Sequence, residues 1–263
     1  MALALEILEA TYRKYEKRAP LGEADRKAFF SLPHETRTFD PHRYLAREGD
    51  RAPSATLILN GLVFRHKMTV EGARQILSLH ITGDFIDLEG SLLEVCDHNV
   101  QALTRCEAAL IPRAAIIDLI DNHARLARAM WIDTLIDASV YREWILNVGR
   151  RDSRTAMCHL LCEFTRRLEV GGLAQRAGYE LPMTQEQLAD ALGITPVHVN
   201  RVLRDLAREG LVERDKRFVR VPDWEALRKA AGFNELYLHL GQTAVEPPVG
   251  AHATVKFAAS QAG

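Results

Sequence analysis

The stretch Thr184–Leu211, TQEQLADALGITPVHVNRVLRDLAREGL, reads as two short helices joined by a tight turn. Thr184 followed three residues later by Gln187 has the form of a capping box, in which each side chain satisfies an amide at the helix start. Leu188, Ala189 and Leu192 give this helix an apolar face, and Gly193 ends it with a residue free to take positive φ. Thr195 then stands as N-cap of a second helix, with Pro196 at its first position, where a missing N–H costs nothing. Val199, Val202, Leu203 and Leu206 form its inner stripe, and Gly210 stops it. The outer stripe carries Val197, Asn200, Arg201, Arg204 and Arg208, a face of guanidinium and amide groups suited to base edges and phosphates in a DNA major groove. The plainer reading is a helical hairpin with a solvated basic face. Two capped starts, the glycine at the turn and the segment that follows all disfavour it.

That segment is Leu211–Trp224, LVERDKRFVRVPDW. Leu211-Val212, a charged turn at Arg214–Lys216, then Phe218, Val219 and Val221 predict a small β-hairpin. A hairpin placed after a recognition helix is a wing, and Arg214, Lys216, Arg217 and Arg220 would lie near phosphates, adding affinity without sequence information. Taken without its neighbour, such a hairpin is an ordinary edge kept soluble by charge.

The 263 residues are enough for two domains with cores of their own. The net charge of −1 points to no polyanion, but its distribution is uneven. Residues 150–232 hold 15 Lys/Arg against 12 Asp/Glu, while residues 1–149 hold 18 against 21. The excess of positive charge therefore falls on the helical pair and its wing. No apolar run reaches the roughly 18 residues of a membrane span. The start, MALALEILEATYRKYEKR, carries acids within its apolar pattern and reads as an amphipathic helix, not a signal peptide, which makes the cytoplasm the expected location. Cys96, Cys106, Cys158 and Cys162 show no paired metal spacing. Cys158 and Cys162 flank the apolar face of Met157, Leu160, Leu161, Phe164 and Leu168, so core packing is expected of them ahead of metal or redox chemistry.

From about Thr38 to Ile111 short alternating runs are broken by turn signals. TLILN (Thr56–Asn60) meets GLVFRHK (Gly61–Lys67) across Asn60-Gly61, a strong hairpin signal. Ala73–Ile81, Val100–Leu103 and Ala108–Ile111 are further strand-like runs, which together predict a small antiparallel barrel or jelly roll. After Asp121-Asn122 the spacing turns helical. Ala127, Trp131, Thr134, Ala138, Tyr141 and Ile145 recur at alternating steps of three and four, a seam for pairing with a second copy. A second stripe through Leu126, Met130 and Trp144 is an alternative seam, or else the side that faces the barrel. A helix of about 27 residues spans about 40 Å, too long for its own barrel to cover.

Barrel, long helix and winged helix-turn-helix in this order resemble the CRP/FNR family of bacterial transcription regulators over about Leu21–Tyr237. The likeness is carried by LAREGD (Leu45–Asp50), Leu59-Asn60-Gly61, the Gly83-Asp84-Phe85 loop, Ile111-Pro112 and TQEQLADALGITPVHVNRVL. The resemblance implies an α+β fold with N-terminal helices and a cyclic-nucleotide-binding-like β-roll (jelly roll) over 1–112, a dimerisation helix region over 113–149 and a winged helix-turn-helix over 150–232. Residues 233–263 are expected to be a disordered tail. The implied function is non-catalytic: sequence-specific binding of double-stranded DNA at a palindromic promoter element as a homodimer, with RNA polymerase as a further partner and a β-roll that senses a signal.

The departures bear on the signal. Cyclic-AMP binders of the family carry a Gly-Glu pair after the GDF loop and an Arg-Ser pair before the next strand. Here those regions read Phe85-Ile86-Asp87-Leu88-Glu89 and Val95-Cys96-Asp97-His98-Asn99, with no arginine and with Asp97 expected to repel a phosphate. Cyclic AMP is therefore not expected. Nor is an iron–sulfur cluster, because the first cysteine is Cys96. Haem stays open through His66, His80 or His98, and a regulator without ligand, controlled by abundance or by oxidation of Cys96 and Cys106, is a further possibility. On the recognition helix Arg201 matches the family's guanine-reading arginine, but Val197 stands where many members have glutamate, so the operator is expected to differ; His198 and Asn200 are secondary readers. From another class comes a jelly-roll enzyme or metal- or ligand-binding protein. The roll shows no cluster of histidines with a carboxylate at metal spacing, no nucleophile motif and no Gly-rich phosphate loop in support of it.

Overall fold

Between Glu35 and Pro112 eight short strands close on one another as two antiparallel sheets, so the alternating runs do build a β-roll. The computed structural model describes residues 2–173, 179–215 and 218–240. The strands are β1 (Glu35–Phe39), β2 (Tyr44–Ala46), β3 (Ser54–Asn60), β4 (Val63–Met68), β5 (Arg74–His80), β6 (Phe85–Ile86), β7 (Asn99–Ala102) and β8 (Cys106–Pro112). One sheet runs β1-β8-β3-β6 and the other β2-β7-β4-β5. β3 is covered on both sides. Ile58 joins Val63, Ile86, Val100 and Ala108 inside the roll, while Ala55, Leu57 and Leu59 pack against helices.

The Asn60-Gly61 signal is corrected by this topology. β3 pairs with β8 and β6, whereas β4 pairs with β5 and β7, so the two runs are not a hairpin but members of different sheets. Gly61 instead forms a corner pressed against the 104–105 turn. Its φ is +95°, and a Cβ there would lie 2.5 Å from the Arg105 carbonyl oxygen. Both requirements select glycine, as a hairpin turn would, which is why the dipeptide alone misleads.

Helices α1 (Ala2–Glu16) and α2 (Glu23–Phe30) cover the first sheet through Tyr12, Tyr15 and Phe29. After α3 (Arg113–Asn122) the chain breaks at His123 and continues as α4 (Ala124–Gly149), whose 26 residues span about 39 Å at 1.5 Å each. Leu126, Met130 and Trp144 are buried within the single chain, so of its two possible roles this stripe takes that of the inner face.

The C-terminal module holds α5 (Ser153–Val170), β9 (Tyr179–Glu180), α6 (Gln185–Leu192), α7 (Pro196–Arg208), β10 (Glu213–Asp215), β11 (Phe218–Arg220) and α8 (Trp224–Ala231), with a three-stranded sheet ordered β10-β11-β9. Asp152 caps α5 by accepting from the amides of Arg154 and Thr155, both at 3.0 Å. Cys158 and Cys162 are fully buried on α5, and burial pushes their thiols up to about 11 and about 12, which suits packing and not reactivity. The same core continues into the roll through Phe64, Ile76 and Leu79, and two ion pairs reinforce the contact: Arg74–Asp190 and Arg167–Asp84, each at 2.7 Å.

Residues 233–240, assigned to the tail, belong to this core. Phe233, Tyr237 and Leu238 are buried, and the Tyr237 hydroxyl donates to Glu163 Oε2 at 2.8 Å, beside the Trp144 Nε1–Glu163 bond of 3.1 Å. Three apolar side chains without helical period escaped a reading based on periodicity. The remainder of the expected tail, 241–263, lies outside the described residues. No helix among the described residues is long and apolar enough to cross a membrane.

Candidate nucleic-acid interface

The two helix starts are built as their sequence predicts. Thr184 Oγ1 accepts from the Gln187 amide at 3.1 Å, and Gln187 Oε1 accepts from the Thr184 amide at 2.9 Å. Gly193 takes the left-handed conformation at φ +66°, the chain turns, and Thr195 Oγ1 accepts from the His198 amide at 3.3 Å. Val199, Val202 and Leu206 fix the inner side of α7 to Leu188 and Leu192 of α6. Replacing Thr195 with alanine removes one cap bond and is expected to lower stability by about 1 kcal/mol in a denaturant titration.

This anchoring leaves one face of α7 outward. Val197 is 82% exposed, next to exposed Pro196. Arg201 and Arg204 are also exposed, and neither has an ion pair or hydrogen bond to another described residue. Arg208 is held by Asp205 at 2.9 Å, and Asn200 is half-buried at the edge of the face. His198 is placed differently from its expected role. Its Nε2 lies 2.8 Å from Ser153 Oγ, so the ring is tied to the start of α5 and not free to read a base. Sequence spacing put His198 near the face, but only the position of α5 settles where the ring points. In the wing, Arg220 is paired with Glu213 at 3.3 Å and so offers less charge to a phosphate than expected. Lys216 and Arg217 lie outside the described residues.

Residues 155–230 match the Crp-like helix-turn-helix domain, and residues 36–123 match the cyclic nucleotide-binding domain; between them the two matches cover more than half of the chain. The chain belongs to the CRP/FNR family. It is a DNA-binding transcription regulator. It is 26% identical over 200 residues to the transcriptional activator protein FnrL of Cereibacter sphaeroides, covering 74% of this chain and 80% of that protein. It is 26% identical over 201 residues to the nitrogen fixation regulation protein FixK of Rhizobium meliloti, covering 75% and 88%. The structure of FixK2 from Bradyrhizobium japonicum superposes with a TM-score of 0.70 at 22% identity, covering 76% of this chain and 98% of that one.

The structure also places the outer stripe of α4 and the interior of the roll. On α4, Trp131 is 67% and Ile145 is 70% exposed, with Ala127 and Ala138 half-buried on the seam. Tyr141 departs from the expected seam, since its hydroxyl accepts from Arg65 Nη1 inside the molecule. Thr134 is half-buried and donates to the Met130 carbonyl of its own helix at 3.3 Å. Leu135, also exposed, adds to the outward stripe.

The interior of the roll, where the family description implies a cyclic nucleotide, does not fit an anion. Arg65 enters it from β4 with a side chain only 3% exposed, a cation that inspection of the 85–89 and 95–99 regions alone misses. Its Nη2 lies 3.1 Å from Glu89 Oε1 and 3.7 Å from Asp87 Oδ1, and its Nη1 lies 3.2 Å from Asp137 Oδ2 on α4. His98 Nε2 is 3.1 Å from Asp87 Oδ1. Three carboxylates thus surround one guanidinium, and a phosphate placed here would meet the acids first. The repulsion expected from Asp97 comes instead from Asp87, Glu89 and Asp137; the Asp97 side chain is exposed and bonds His98 Nδ1 at 2.7 Å. His80 Nε2 lies 2.8 Å from Ser78 Oγ, and His66 is buried against the rings of Tyr44 and Phe64, where burial lowers its pKa to about 4 and keeps it neutral.

Proposed function

We propose that this regulator acts in the cytoplasm as a homodimer, paired along the outer stripe of α4, and reads a promoter element of two symmetric half-sites. The observation that carries the reading is the outward face of α7. Arg201 and Arg204 stand exposed without partners among the described residues, on a helix whose other side is locked into a core. A guanidinium in that position suits bidentate contact with guanine O6 and N7, and Val197 suits a thymine methyl. The exposed Trp131, Leu135 and Ile145 support pairing, because a row of large apolar side chains on a single helix is what a second copy would cover. The names of the relatives, an activator and a nitrogen fixation regulator, support action on RNA polymerase, and the charge of the roll interior supports a regulator that takes no cyclic AMP.

Selection of bound DNA from a random pool at fixed salt tests the reading, with recovery of an inverted repeat as the expected result. Arg201→Ala is expected to cost about 1–3 kcal/mol on the selected site and to relax a single base position in each half. Affinity for random DNA should be almost unchanged, measured by titration at one salt concentration. Equal losses on both DNAs would remove Arg201 from base reading.

A further inference from the structure

We propose that Arg65 is the built-in ligand of the roll, a resident guanidinium that ties Asp87 and Glu89 to Asp137 and Tyr141 of α4 and holds the DNA-binding arrangement without a diffusible effector. The inference rests on the DNA-regulator reading and concerns how that activity is set.

The partners of Arg65 come from two modules. Asp87 and Glu89 belong to the roll; Asp137 and Tyr141 belong to α4. A guanidinium this deeply buried persists only when its charge is met on several sides, so the cluster forms or fails as a unit. It forms only when α4 lies against the roll in this position. α4 also carries the outward stripe, and its Trp144 reaches Glu163 on α5 of the DNA-binding module. A bond at Asp137 and Tyr141 therefore sits on the element that joins roll, seam and recognition helix.

Other occupants compete poorly for the same space. An anion meets the three carboxylates. A divalent cation could find Asp87, Glu89 and His98 with one ligand atom each, all within 4.8 Å of one another, but Arg65 Nη2 already stands 3.1 and 3.7 Å from the two carboxylates it would need. The cation would have to displace a guanidinium whose side chain is only 3% exposed.

The tie is also sensitive to protons. Burial pushes the Asp137 carboxyl up to about 6; Arg65 opposes this, Asp133 and Asp84 add to it, and Arg167 opposes it further. The other charged or titratable groups around the cluster are Asp87, Glu89, His98, Tyr141 and His80 of β5, with Lys14 and Arg18 beside Asp133 and Lys14 beside Asp84. As pH falls through about 6, Asp137 takes a proton and its ion pair with Arg65 is lost. A carboxyl whose folded pKa is raised binds that proton more tightly when folded, so this group makes the fold more stable, not less, as pH falls. Groups held low, such as Asp84, act in the opposite sense, so a melt recorded at each pH separates loss of the tie from unfolding.

The test uses full-length protein dialysed against chelator, the selected DNA and fixed salt. Wild type is expected to bind without additives and to change less than about twofold with cyclic AMP, cyclic GMP, cyclic di-GMP, zinc or manganese. Asp137→Asn, at a side chain still 31% exposed at the edge of the cluster, is expected to remain folded and to bind about 10-fold more weakly. Lowering pH from about 7.5 to 5.5 should weaken wild type more than this variant, whose side chain cannot titrate. Should Asp137→Asn fail to fold, Tyr141→Phe removes one hydroxyl from the same cluster and carries the same expected loss. A wild type that needs an added nucleotide or metal overturns the proposal, as does a folded variant that binds like wild type with an unchanged pH profile. If no form of the protein binds any DNA, the regulator reading falls and this inference with it, a result distinct from binding that ignores Arg65 and its partners.

Discussion

Trp131→Glu combined with Ile145→Glu is expected to yield monomers at micromolar concentration and to weaken binding to a two-half-site DNA by about 10²- to 10⁴-fold. Both side chains are largely exposed in the single chain, so their exchange removes little from its own core. The fold should keep its stability to about 0.5 kcal/mol. In a pair formed along α4, by contrast, each glutamate would be buried near its own copy across the axis, and like charges there oppose association. With the pairing lost, the second recognition helix no longer arrives at high effective concentration, which sets the expected range. Sedimentation equilibrium measures the first effect and titration of single and paired half-sites the second. Affinity for a single half-site should stay near wild type. A variant that remains dimeric would place the interface elsewhere on the molecule.

Gly61→Ala is expected to lower the stability of the roll by about 3 kcal/mol, a fall of roughly 6–12 °C in Tm for a chain of this size. Two costs combine. At φ +95° an alanine is strained by about 1–2 kcal/mol. Its Cβ would also lie 2.5 Å from the Arg105 carbonyl oxygen and 2.9 Å from the Cys106 Cα, both backbone atoms that can yield only if β8 shifts. Gly72→Ala provides the control. Its φ is +88° but no atom lies within 4 Å of the added Cβ, so only the conformational cost of about 1–2 kcal/mol should appear. Thermal melts of the two variants separate strain from collision. Equal shifts would show that the 104–105 turn moves freely.

The recognition helix was legible because its determinants are local. Caps at Thr184 and Thr195, a proline at the first helical position and a left-handed glycine at Gly193 act on neighbours a few residues away, and the amphipathic spacing of Val199, Val202 and Leu206 leaves one choice of inner face. The two stripes of α4 were legible as stripes, but burial of Leu126, Met130 and Trp144 was needed to tell which one is inner. His198 and Tyr141 were not, because helical spacing gives a direction only to within a residue or so. Ser153 and Arg65 decide where those side chains finally bond.

By itself the sequence determined the order of roll, long helix and winged pair, since alternation, heptad-like spacing and capping are properties of short windows of chain. Tertiary structure alone decided that Asn60-Gly61 divides two sheets, that Phe233 and Tyr237 close the C-terminal core, and that Arg65 meets Asp137 from 72 positions away. These outcomes depend on which surfaces come together after the windows have formed. A buried charge or a crowded glycine takes its meaning from atoms that are remote along the chain, and no local pattern records them.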